Sequence, residues 1–228
     1  MTSVVSTQIQ PALDNNQHFI FPQKMSWERF KAFDHLTESY ALRLSYFDGY
    51  VELMSISPEH ETIKCLLSLL LGLYFLEFDL SFTPTGSATI EQPGSVSKEP
   101  DLSYRFGDDR RQQDVPDLVI EIIFTSGGID KLSYYQHVGI PEVWFWEDGV
   151  FSLYCLEFRS SGERHGNDLK DKSGNNSEES SEKSGAKSYV KVDQSVALPQ
   201  LDMQLLARCL SMAEEKEALK QFRNAIRR

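Results

Sequence analysis

The chain has 228 residues, 40% of them hydrophobic, and a formal net charge of -11 at pH 7. This length supports one substantial core and speaks against a second full domain. The longest apolar stretch, Cys65 to Phe78, is interrupted by Ser68, Gly72 and Glu77, so it is no membrane span. The acidic balance argues against coating nucleic acid by bulk charge, which relies on Lys and Arg, but leaves a local basic cleft open.

Residues 1–23 are polar and turn-rich and read as a flexible arm; 24–228 read as a single domain. Ser26 is a good N-cap for a helix carrying Trp27, Phe30 and Phe33. Ala41–Phe47 and Tyr50–Ser55 alternate as strands across Asp48-Gly49, the strongest hairpin signal in the chain. Ser57-Pro58 then opens a helix that runs to about Glu77 and is apolar nearly all round, as a helix packed on a sheet should be. Short strands are expected at Leu80–Thr83, Ala88–Glu91 and Leu102–Phe106, and a more apolar one at Leu118–Phe124. A helix over Ile129–Val138 stops at Gly139. Val143–Trp146 and Val150–Phe158 pair across Glu147-Asp148-Gly149. From 160 to 187 the composition turns to Ser, Gly, Asn, Lys and Glu, the signature of a disordered insertion. Tyr189–Val192 is the returning strand, and Asp202–Ile226 a last helix. The order of elements gives an α+β domain around one central sheet.

Cys65, Cys155 and Cys209 are odd in number and have no C-x-x-C spacing. They read as reduced core thiols. The N-terminus has neither a charged n-region nor an apolar h-region, so a cytoplasmic location is expected.

Two acidic strands carry the chemistry. In Glu99-Pro100-Asp101-Leu102 and Val115-Pro116-Asp117-Leu118-Val119-Ile120-Glu121-Ile122-Ile123, carboxylates sit beside or inside strand-forming runs. Asp117 can stay at the exposed strand edge. Glu121 is flanked by Val119, Ile120, Ile122 and Ile123, and a buried carboxylate must be paired, hydrogen-bonded or bound to a cation. Lys131 follows at a helix start. Asp, Glu and Lys in that order suit a divalent-metal hydrolase. The alternative is structural: Asp101 and Asp117 end strands, and Glu121 pairs with Lys131. Arg105, Arg110 and Arg111 follow the first acidic strand as a candidate phosphate contact or a solvated loop. Trp144, Trp146, Tyr134 and Tyr135 read as core residues rather than base-stacking platforms. No Gly-rich phosphate loop, serine elbow or HExxH pattern occurs.

Three blocks resemble the Uma family of restriction endonucleases, proteins of the PD-(D/E)XK nuclease fold. They are Asp48-Gly49-Tyr50-Val51-Glu52-Leu53-Met54-Ser55 with Ser57-Pro58-Glu59-His60; Pro100-Asp101 with Pro116-Asp117-Leu118-Val119-Ile120-Glu121; and Lys131-Leu132-Ser133-Tyr134-Tyr135 with Gly139-Ile140-Pro141-Glu142-Val143-Trp144. The resemblance runs from about Met25 to Val192. It implies a restriction-endonuclease-like fold, a central mixed sheet flanked by helices. It also implies a magnesium- or manganese-dependent endonuclease acting on DNA. Asp101 matches the PD position and Glu121 the acidic position of the second motif, and these two are the expected metal ligands. Ile123 stands where that motif has lysine, and the resemblance supplies Lys131 instead. Phe124 to Gly128 is shorter than the usual link before this helix. Glu52 and His60 are expected to support the site, His60 at the phosphate or behind the metal. Held close without an ion, Asp101 and Glu121 are expected to repel and to resist full ionisation. The other reading is an inactive nuclease fold that binds nucleic acid or regulates. A homodimer through the C-terminal helix is a further expectation.

Overall fold

A computed structural model describes residues 18–37, 42–107, 115–124, 130–159 and 186–227. In chain order the elements are β1 (His18–Ile20), α1 (Trp27–Thr37), β2 (Leu42–Phe47), β3 (Tyr50–Ser55), α2 (Pro58–Glu77), β4 (Phe82–Pro84), β5 (Ile90–Gln92), β6 (Val96–Lys98), β7 (Leu102–Phe106), β8 (Leu118–Ile123), α3 (Lys131–Val138), β9 (Glu142–Glu147), β10 (Val150–Arg159), β11 (Ala186–Val192), α4 (Met203–Leu210) and α5 (Glu215–Ile226).

The strands sort into two sheets. One is antiparallel throughout, in the order β1-β3-β2-β6-β5. The other, β11-β10-β9-β8-β7-β4, is mixed, because β8 and β9 run parallel on either side of the α3 crossover. The α+β class and the mixed sheet flanked by helices are as expected, in an arrangement consistent with a restriction-endonuclease-like fold. The strands do not form one sheet, however. The β2–β3 hairpin buries Leu44, Tyr46 and Val51 against Phe30 of α1, and so builds a layer and a small core of its own.

Both hairpins turn in two residues. Asp48-Gly49 and Asp148-Gly149 have positive φ at both positions (45° and 90°; 48° and 82°), the mirror-image turn that follows the right-handed twist of the flanking strands. At α2 the Ser57 hydroxyl accepts from the His60 amide at 3.1 Å, capping the helix as its sequence predicts. The main core lies between α2, α4 and α5 and one face of the mixed sheet. Leu67, Leu70 and Tyr74 meet Ile120, Ile122, Trp144, Leu206 and Phe222 there. Tyr134, Tyr135, Trp144 and Trp146 are all buried, as core residues should be.

Several expectations need correction. The last helix is two, since the chain breaks at Ser211–Glu214 and α5 folds back onto α2 and α4. Residues 18–20 of the expected arm pair with β3. The returning strand starts at Ala186 rather than Tyr189, so it takes in the last two residues of the expected insertion. Cys65 lies exposed on α2 and is no core thiol. Residues 1–17, 160–185, Arg110, Arg111 and the link after Phe124 lie outside the described residues.

Candidate active site

The site forms between the two sheets, because alternation in β2 aims one face at α1 and the other toward Asp101, just before β7. Leu44 and Tyr46 take the apolar side; Arg43 and Ser45 take the opposite one. Glu52 pairs directly with Ser45, and the register of Tyr46 with Ser97 brings Lys98 alongside Ser45. Lys98 Nζ lies 3.4 Å from Ser45 Oγ. A row of polar side chains thus crosses the antiparallel sheet, and it is buried.

From the mixed sheet comes the acidic half. Leu102 pairs with Ile120, so continuing that register by one residue sets Asp101 opposite Glu121. Residues directly opposed on one face have Cβ atoms about 5 Å apart. Ile120 and Ile122 face the main core, which leaves Glu121 on the α3 side. Both carboxylates are buried.

Each carboxylate gathers three donors. Asp101 Oδ1 accepts from Arg43, while Oδ2 accepts from the Ile122 amide at 2.7 Å and lies 3.1 Å from His60 Nε2. Glu121 Oε1 accepts from the Tyr135 hydroxyl and lies 3.5 Å from Lys98 Nζ; its Oε2 accepts from Lys131 Nζ at 3.2 Å. The structure therefore brings Asp101, Glu121 and Lys131 together as the sequence led us to expect, and joins His60 to them.

Glu52 stands in the next shell of charge, with its Oε2 buried and unpartnered. Asp117 is not at a free edge. Its Oδ2 accepts from the Phe106 amide at 2.8 Å and closes the start of the β7–β8 pair.

Sequence reasoning missed Arg43 and Lys98. Arg43 sits in an alternating strand, and alternation does not say which polar side chains a second layer covers. Lys98 lies in a three-residue strand too short to show a period, although its place three residues before Asp101 was a usable hint.

The electrostatics correct one expectation. Burial by itself would raise the Asp101 pKa, but hydrogen bonding and charge from His60, the Arg43 guanidinium and the Ile122 amide outweigh it. They hold the carboxyl well below the usual range, so Asp101 is firmly ionised. The two lysines are pushed apart. Complete burial lowers Lys98 despite the pull of Glu121, and Lys131 lowers it further. Lys131 is also desolvated, but Glu121, Asp101 and Glu52 more than compensate and hold it raised. Burial, then Glu121, pushes the Tyr135 hydroxyl well up, so it stays a proton donor.

Among the described residues no three His, Cys, Asp or Glu side chains are grouped as a metal site. Asp101 and Glu121 still suit a hard divalent cation. A carboxylate offers about four lone-pair positions; three donors on each leave room for a further partner. Magnesium is commonly held through one or two carboxylates, water completing the shell.

The model of the family described as "Putative restriction endonuclease", Uma2, matches residues 27–174. The chain belongs to the Uma2 family. The matched span holds every site residue of this Uma2 chain, from Arg43 to Tyr135, and ends before β11, α4 and α5. Comparison with curated proteins gives no match. No helix among the described residues is long and apolar enough to cross a membrane.

Proposed function

We propose that this Uma2 protein is a magnesium- or manganese-dependent endonuclease that hydrolyses phosphodiester bonds in DNA. The observation that carries the reading is the opposed pair Asp101 and Glu121, with a lysine from each of two other elements on Glu121. Asp101 and Glu121 would hold the ion, which when bound neutralises phosphate charge and lowers the pKa of water. Lys131, kept cationic, offsets the remaining charge on the phosphate. Of the two lysines Lys98 is assigned proton acceptance, because burial lowers its pKa while the surrounding carboxylates hold that of Lys131 raised. Tyr135 and the Ile122 amide hold the carboxylates in place, and His60 meets the same Asp101 oxygen, Oδ2, as the Ile122 amide. Glu52 adds negative charge behind Lys98. A cytoplasmic location belongs to the same proposal, resting on three free cysteines.

The test is nicking of supercoiled plasmid with magnesium or manganese and with EDTA. Wild type should nick only with metal, and Asp101→Asn, Glu121→Gln and Lys98→Met should fall to background. One observation favours the second reading, an inactive binding or regulatory protein: protein cations already neutralise both carboxylates. DNA binding retained in EDTA, with no nicking under any metal, would decide for it.

A further inference from the structure

At the start of α2 a groove of about 610 Å³ opens beside the site, lined by Arg43, Ser57, Glu61, Lys64 and Ser87 among others. Arg43 forms its inner wall and reaches through to Asp101. At its mouth three side chains converge on one anion. The Glu61 carboxylate receives Lys64 Nζ at 3.1 and 3.2 Å, and lies 3.7 Å from Arg43 Nη2 and 3.6 Å from His60 Nδ1. Of these groups the anion is the most exposed: the Glu61 side chain is 41% accessible, against 7% for Arg43, 19% for Lys64 and 13% for His60. His60 Nδ1 has no hydrogen-bond partner. A helical pair three residues apart explains Lys64 on Glu61. It does not explain why a buried arginine from β2 and an imidazole edge turn to the same carboxylate.

We infer that Arg43, Lys64 and His60 form a subsite for one backbone phosphate of DNA, and that Glu61 covers it as a displaceable anionic plug. The inference rests on the nuclease reading for the identity of the strand. Arg43 would then set the distance between that phosphate and the carboxylate pair, since one guanidinium touches both places. Ser87 Oγ accepts at 3.5 Å from Arg43 Nη2, the same nitrogen that faces Glu61, while Nη1 is held by Asp101. Sequence would not be read here, because a phosphate contact positions the strand and carries no base information.

The experiment measures binding of a fluorescein-labelled DNA duplex by anisotropy in EDTA across a salt series. Glu61→Gln should tighten binding about threefold to tenfold, because the displaced charge no longer competes with phosphate. Lys64→Gln should weaken binding by a similar factor and lower the salt slope by about one. Both positions lie on the accessible start of α2, and thermal melts check that the variants fold. Folded Glu61→Gln that binds no more tightly than wild type, or folded Lys64→Gln with an unchanged slope, overturns the inference. So does a wild-type protein that binds no duplex even at low salt. Because binding is read without metal, the expected shifts together with absent nicking would retain the subsite and end the hydrolytic reading alone.

Discussion

Two buried glutamates stand on adjacent parallel strands, Glu121 on β8 and Glu142 on β9, and differ in what surrounds them. Glu142 accepts from the Trp144 indole at 2.6 Å and from the amides of Val196 and Ala197 at 3.0 and 2.7 Å. These donors are neutral and rigid, and they clamp the segment after β11 onto the mixed sheet. Glu121 is met by two lysines and a phenol. Burial alone therefore does not mark a reactive carboxylate. Neutral backbone donors make a clamp; long cationic side chains can exchange for another cation or turn to a substrate.

The largest expected effect lies at the clamp. Glu142→Ala removes the acceptor from a buried indole and two part-buried amides and should cost about 3–5 kcal/mol in denaturant unfolding. A loss below about 1 kcal/mol would break the comparison, because the donors would then have found other partners. Glu121→Gln should cost less, about 1–3 kcal/mol. It takes the counter-charge from Lys98, but the lowered pKa of that amine lets it shed its proton instead of staying buried and charged.

Asp101 gives the next effect, read against pH. Its folded pKa lies below the ordinary 3.8, so its carboxylate contributes stability that is fully present above that value. The contribution is lost as pH falls through 3.8 toward the depressed folded value. The stability difference between wild type and Asp101→Asn should thus shrink as the pH falls below 3.8. A difference that grows below that pH would reverse the sign and show that Asp101 resists ionisation.

Much of this arrangement is legible in the chain and some is not, for physical reasons. The Asp-Gly turns, the Ser57 cap and the apolar run around Glu121 are local signals, each set within a few residues. Glu121 is found because a carboxylate inside a buried strand has few acceptable explanations, and Asp101 is picked over Asp117 by the family resemblance. Arg43 is hidden because the alternation of β2 shows that one face is polar, not that a second sheet covers it. Lys98 is hidden by the shortness of β6. The break between α4 and α5 has neither Gly nor Pro to announce it; packing of α5 onto α2 decides it. The division into two sheets depends on which layer covers the β2–β3 hairpin, a long-range choice that no window of sequence contains.

The smallest expected effect sharpens the comparison most, because it separates an acidic residue at the site from one nearby. Asp117 precedes the strand that carries Glu121, yet its side-chain carboxylate accepts from the Phe106 amide, away from the site. An asparagine can offer its amide oxygen to the same donor, so Asp117→Asn should change stability by less than about 1 kcal/mol. Magnesium at a hundredfold excess over its dissociation constant should stabilise wild type by about 2.7 kcal/mol, since the unfolded chain has no assembled site. Asp117→Asn should keep that gain in full. Asp101→Asn and Glu121→Gln should lose most of it, each removing one of two charged ligands. Melting all four proteins with magnesium and with EDTA makes the measurement. Equal gains throughout would put the ion elsewhere on the chain and leave the cations around Asp101 and Glu121 as a second clamp, like Glu142 but charged.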